Sequence, residues 1–92
     1  MIKILFMNIN QLISIVKSKI EDNFTVENLV VEDKSFLHKK HKTHQDGKFH
    51  LKIIIVSREL KVMKKIESTK KIYSVLNEEI KKYIHSIQIL IN

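Results

Sequence analysis

The chain reads as a single α+β domain in the order α-β-β-(α)-α-β, a three-stranded mixed sheet with helices packed on one face. Three observations point to this class. Apolar residues recur at helical spacing in two segments and at alternating spacing in three others. A polar stretch joins the first two strands, which lets them pair antiparallel, while a helical crossover joins the second and third, which lets them run parallel. The length of 92 residues is that of one domain, burying roughly 60–65% of its unfolded surface. That leaves little room for a buried substrate pocket. No repeat or linker divides the chain, so residues 1–92 form one domain, with residues 1–8 expected to be disordered ahead of the first helix.

Taken in order, residues 9–20 carry Ile9, Leu12, Ile13, Val16 and Ile20 on one helical face, with Asn8 or Asn10 as the cap. Residues 26–33, with Val26, Leu29, Val30 and Val31, read as a strand. Residues 34–48 are polar, charged and rich in histidine, and they hold the only glycine, Gly47; this is a loop. Residues 49–57 are the clearest strand. Phe49, Leu51, Ile53 and Ile55 face one way, and His50, Lys52, Ile54 and Val56 the other. Because Ile54 and Val56 are apolar too, the later half is expected to be covered on both faces, as a central strand would be. Residues 58–67 read as a turn with a short helical piece. A long helix follows, with Ser68 as its cap and Ile72, Val75, Leu76, Ile80, Tyr83 and Ile84 as its apolar stripe. In residues 86–91, Ile87, Ile89 and Ile91 alternate with Gln88 and Leu90 to give the last strand.

Composition narrows the function classes. An apolar content of 43% and a charged content of 29% fit an ordinary soluble domain. The net charge of +7 comes from sixteen Lys and one Arg against ten acids, and it favours polyanions or acidic faces of partner proteins. Lysine is a point charge, however, whereas bidentate readout of guanine is mostly the work of arginine. Codon usage in an AT-rich genome also enriches Lys, Ile and Asn, so basicity alone is weak evidence for DNA. The apolar opening, Met1-Ile-Lys-Ile-Leu-Phe-Met7, has neither the length of a membrane span nor the layout of a signal peptide. The chain is expected to be soluble and intracellular, in cytoplasm or mitochondrion, with no membrane partner.

With five histidines and no cysteine, a borderline metal or cluster held by this chain is expected to rest on imidazole, and another molecule must supply any thiolate. Four histidines crowd together as His38-x-x-His41-x-x-His44 and His50; His85 stands alone. The plain alternative is a solvated loop rich in His and Lys. An independent zinc site is not expected, because the two cysteines of a finger are missing. His85 read blandly satisfies carbonyls at a helix C-terminus, and His50 is a structural hydrogen-bonding residue at a sheet edge. Ser57 with His50 has no orienting acid and no oxyanion donors nearby, so an enzyme is not expected. Lys61, Lys64, Lys65, Lys70 and Lys71 form the densest basic stretch, either a phosphate-binding patch or a solvated helix face.

Three segments in this order carry a family resemblance. Leu29-Val-Val-Glu-Asp-Lys-Ser35 resembles a first strand of the form LxVxDxS, and His50-Leu-Lys-Ile-Ile-Ile-Val-Ser57 a second of the form HFxVxIVS. Ile72-Tyr-Ser-Val-Leu-Asn-Glu-Glu-Ile80 followed by Ile84-His-Ser-Ile-Gln-Ile89 resembles VYxxLxxEI…IHALxI. Over residues 12–91 the chain resembles the BolA-like proteins. The resemblance implies a fold like a class II KH domain and, as partner, a monothiol glutaredoxin that shares a bridging 2Fe–2S cluster. It also implies the ligands: a glutaredoxin Cys, a glutathione thiol, the histidine before the last strand (here His85) and a loop Cys or His (here His41 ahead of His38). The isolated apo protein would hold no cofactor, and iron–sulfur target proteins are further implied partners. The alternative is a KH-like nucleic-acid-binding transcriptional regulator using Lys61, Lys64, Lys65, Lys70 and Lys71. The chain departs from the family where FxGxxxLxRHR is usual: the Gly is Val62, and Arg-His-Arg is Ser68-Thr69-Lys70. That departure puts the nucleic-acid reading in doubt.

Overall fold

A computed structural model describes residues 7–35 and 49–92. The elements are α1 (Ile9–Asn23), β1 (Asn28–Asp33), β2 (Phe49–Val56), α2 (Arg58–Lys61), α3 (Lys65–Val75), α4 (Asn77–Lys82) and β3 (Ile84–Ile91). The sheet order is β1-β2-β3, with β1 antiparallel and β3 parallel to the central β2. This is the mixed α+β arrangement read from the sequence. Among the described residues no helix is long and apolar enough to cross a membrane.

Asn8, not Asn10, caps α1. Its Oδ1 accepts the Gln11 N–H at 2.8 Å, and Gln11 Oε1 accepts the Asn8 N–H at 3.2 Å, a reciprocal box that satisfies two otherwise orphaned donors. Met7 packs against the core. The disorder expected of residues 1–8 therefore does not extend to these two, and residues 1–6 lie outside the described set.

The core fills the space between the helices and one face of the sheet. Leu12, Val16 and Ile20 of α1, with Leu60, Ile72 and Leu76, meet Val31, Leu51, Ile53, Ile55 and Ile84. In β2 the odd positions face the helices, as the alternation requires. The other face is more open than the apolar Ile54 and Val56 suggested. Both are half-buried, and Ile54 sits in register with Val30 and Leu90, which are 37% and 38% exposed.

Two local expectations are corrected. The single long helix is broken at Leu76, whose φ of −99° and ψ of 13° leave the helical region; α4 resumes at Asn77, and Ile84 starts β3 rather than ending a helix. Ser68 is not a cap either: Lys64 occupies that position, and buried Ser68 donates its hydroxyl to the Lys65 carbonyl within the helix.

Ser57 closes the other end of the sheet. Its Oγ donates to the Thr25 carbonyl at 2.6 Å and accepts the Leu60 N–H at 3.2 Å, capping α2. With no exposed surface, this hydroxyl cannot exchange its partners for water. Ser57→Ala is expected to cost about 1–2 kcal/mol, which thermal denaturation would read as a midpoint lowered by roughly 5–10 °C.

Candidate metal centre

At the opposite end of β2 the parallel ladder with β3 is irregular. Phe49 pairs with Ile84, but the next residue, His50, pairs with Ser86. One step on β2 therefore spans two on β3, and the extra residue is His85. A bulge of this kind shifts the facing of the strand beyond it. It allows Ile84 and Ile87, three positions apart, both to pack against the core, while His85 and Ser86 are exposed.

Beside this bulge sits His50, only 7% exposed. Its Nδ1 lies 2.6 Å from Ser86 Oγ, and its ring lies 4.9 Å, centroid to centroid, from that of His85, tilted by 58°. Its backbone is held as well: the N–H donates to Ser35 Oγ at 3.1 Å, and the carbonyl accepts the Lys34 N–H at 2.7 Å. Ser35 in turn donates its N–H to Asp33 Oδ1 at 2.9 Å, and Phe49 donates its N–H to the Tyr83 carbonyl at 2.8 Å. The result is a fixed platform. An anchored imidazole supports an exposed one, and the chain leaves at Ser35 and returns at Phe49 beside the pair.

His50 is structural, as expected, but it lies on the central strand rather than at a sheet edge. His85 belongs to β3, not to a helix end, so it does not cap α4. His38, His41 and His44 lie outside the described residues. Among those described, no three His, Asp or Glu side chains are grouped so as to hold a metal ion. The donor set thus fits a site completed by other groups: one exposed imidazole, a buried neighbour, and no thiolate anywhere in the chain. It does not fit a self-contained four-ligand site among the described residues.

His50 and Ser57 occupy opposite ends of β2, about 23 Å apart along an extended chain, so they form no catalytic pair. All five candidate lysines are exposed. Lys61 and Lys65, with Leu60, Met63 and the end of β3, line a cleft of about 280 Å³. The structure therefore joins two of the five at one cleft. Ser68, buried in the core, cannot reach a phosphate.

Sequence reasoning missed the contact of His50 with Ser86 and the bulge at His85. It also missed Glu79, a carboxylate buried in α4 whose Oε2 accepts from Lys19 Nζ at 2.6 Å. The one available signal for the bulge was the break in alternation between Ile84 and Ile87.

The sequence profile described as BolA-like protein matches residues 20–92. The chain belongs to the BolA-like family. A curated relative, the DNA-binding transcriptional regulator BolA of Haemophilus influenzae, is 33% identical over 73 residues, covering 79% of this chain and 68% of that protein. Among solved structures, BolA1 from Arabidopsis thaliana superposes with a TM-score of 0.73 at 27% identity, over 86% of this chain and 87% of that one. The BolA domain of SufE1 from the same plant gives 0.70 at 26% identity, over 84% and 85%. A bol-like protein from Babesia bovis shares the fold at 18% identity, with a TM-score of 0.66 over 85% and 79%. Fold and family thus agree with the resemblance carried by the three sequence segments.

Proposed function

We propose that this BolA-like protein is a non-enzymatic partner of a monothiol glutaredoxin, acting in iron–sulfur cluster maturation, transfer or iron-dependent regulation in cytosol or mitochondrion. His85 and a histidine of residues 36–48, His41 before His38, would coordinate one side of a shared 2Fe–2S cluster, with glutaredoxin cysteine and glutathione on the other. The observation that carries the reading is the exposed His85 on a bulge, braced by anchored His50, at the sheet end where residues 36–48 leave and return. His41 and His38 stand six and three residues from Ser35, separations that a few residues of chain can bridge.

The chain's own residues have distinct tasks here. His85 presents an already exposed imidazole, so no core side chain need move for it to reach iron. Ser86 and His50 hold the neighbouring surface rigid, which limits the entropy lost on coordination. The basic surface attracts an acidic partner face and raises the encounter rate. When bound, a 2Fe–2S cluster with imidazole in place of thiolate has a higher reduction potential and grows labile as the imidazole protonates. The test is a visible circular-dichroism titration, under nitrogen, of cluster-loaded monothiol glutaredoxin with this protein. The expected spectrum changes and saturates near one-to-one; an unchanged spectrum, with no complex on gel filtration, would overturn the proposal.

A second reading rests on the cleft lined by Lys61 and Lys65 and on the name of the Haemophilus relative. If the chain binds duplex DNA through these lysines, log K falls with log salt at a slope of about −0.9 per phosphate contact. Lys61→Ala and Lys65→Ala would each make that slope shallower by about one contact, measured by fluorescence anisotropy across a salt series. Cluster bridging through His85 would be nearly indifferent to the same two changes.

A further inference from the structure

We propose that the outward side of α3 is a docking surface for an acidic amphipathic helix of a partner protein. Among the described residues, five large apolar side chains are exposed, and three fall within one short run: Val62 at 84%, Ile66 at 68% and Tyr73 at 43%. Isolated exposed apolar residues are ordinary; a cluster beside a hollow is not. Ile66, Thr69 and Tyr73 stand at i, i+3 and i+7, so they share one stripe of α3. Lys65 and Lys70 flank that stripe, and together the five residues line a shallow hollow of about 510 Å³. Ser68 and Ile72 of the same helix are already buried in the core. The helix is therefore apolar on a second side that the fold does not use.

Charge selects the occupant. Between Lys61 and Tyr73 the chain has five lysines and one acid, Glu67. A second copy would set lysine against lysine across the contact, which disfavours self-association, whereas an acidic partner pairs with them. Geometry selects its form. From Ile66 to Tyr73 the stripe runs about 10 Å, which two turns of a facing helix cover with anchors at i, i+3 or i+4, and i+7. This surface shares no residue with the His50–His85 pair, so the inference stands apart from the cluster reading.

The test selects short randomised peptides, displayed on phage, against the full chain, with counter-selection against Ile66→Ser. The enriched peptides are expected to carry apolar residues at i, i+3 or i+4, and i+7, together with Asp or Glu. By fluorescence anisotropy, Ile66→Ser and Tyr73→Ser should each weaken binding of an enriched peptide about tenfold. The charge reversal Lys70→Glu should weaken it as well. All three substituted residues lie on the surface, and unchanged far-ultraviolet dichroism would confirm that the variants fold. The proposal is overturned if no such peptides are enriched, or if Ile66→Ser leaves the affinity unchanged. It is equally overturned if the surface serves another occupant: Ile66-dependent binding to phosphatidylserine vesicles, or Ile66-dependent dimerisation of the protein alone in sedimentation equilibrium.

Discussion

Replacing His85 by alanine is expected to leave the fold intact and to remove the cluster-bridged complex. The side chain is exposed and lies on the bulge residue that has no partner of its own on β2. Its ring meets that of His50, yet the core closes without it, since Ile84 and Ile87 fill the inner face on either side. Surface changes of this kind shift stability by about 0.5 kcal/mol or less. The thermal midpoint should therefore stay within a few degrees of the parent. Affinity for cluster-loaded glutaredoxin should fall at least about 100-fold, beyond what loss of an outer hydrogen-bond partner causes. A folded His85→Ala protein that still gave the saturating dichroism change would remove His85 from the ligand set.

The second large effect is on stability. Lys19 of α1 bonds to the buried carboxylate of Glu79 and also lies 3.7 Å from Glu78. Glu79 Oε1, buried, has no hydrogen-bond partner among the described residues, so Lys19 is the main compensation for that charge. Lys19→Met strands the carboxylate. Breaking a fully buried pair costs about 3–5 kcal/mol, and the partial exposure of the lysine reduces this to roughly 2 kcal/mol. The double change Lys19→Met with Glu79→Leu should recover most of the loss, because apolar replacement of both partners removes the desolvation cost. Chemical denaturation of the three proteins would measure both values.

The pair also makes stability depend on pH in a defined direction. The hydrogen bond to Glu79 holds the Lys19 ammonium above its usual pKa of 10.5, against the opposing effect of burial. A raised pKa in the folded state stabilises fully below the unfolded value and loses that contribution as pH rises through the folded value. The parent protein should thus lose stability above pH 10.5 more steeply than Lys19→Met does. At the exposed end of the cluster, the bond to Lys82, then the charges of Lys82 and Lys19, hold the Glu78 carboxyl below its usual value. Its contribution is present above pH 4.5 and fades as pH falls through the lower folded value.

Periodicity made the sheet legible. β2 alternates cleanly because its odd side chains meet the helices, and the pairing directions follow from a loop on one side and a crossover on the other. The end of the crossover was not legible for a physical reason. Ile80 and Ile84 stand four apart, which is helical spacing, while Ile84 and Ile87 break the alternation of a strand. A pattern reader therefore gives Ile84 to the helix. The bulge at His85 resolves both facts, because one added residue lets Ile84 join the strand and still face the core. The same bulge governs the candidate site, so the position that hid from periodicity is the one that exposes the imidazole. Glu79 was hidden differently: a glutamate in a helix reads as solvated unless its partner, sixty residues away in Lys19, is known. The family resemblance implied His85 and one loop histidine, His41 ahead of His38, as ligands; the structure adds only the setting of His85, since His41 and His38 lie outside the described residues.

The central claim is that an imidazole of this chain binds iron. Pulsed electron paramagnetic resonance tests it most directly, on the reduced complex of cluster-loaded monothiol glutaredoxin with this protein labelled with ¹⁵N at histidine. The account predicts a strong ¹⁵N hyperfine coupling that is absent from glutaredoxin alone and lost in His85→Ala. A reduced cluster in the complex with no such coupling, or with one that survives His85→Ala unchanged, would contradict it.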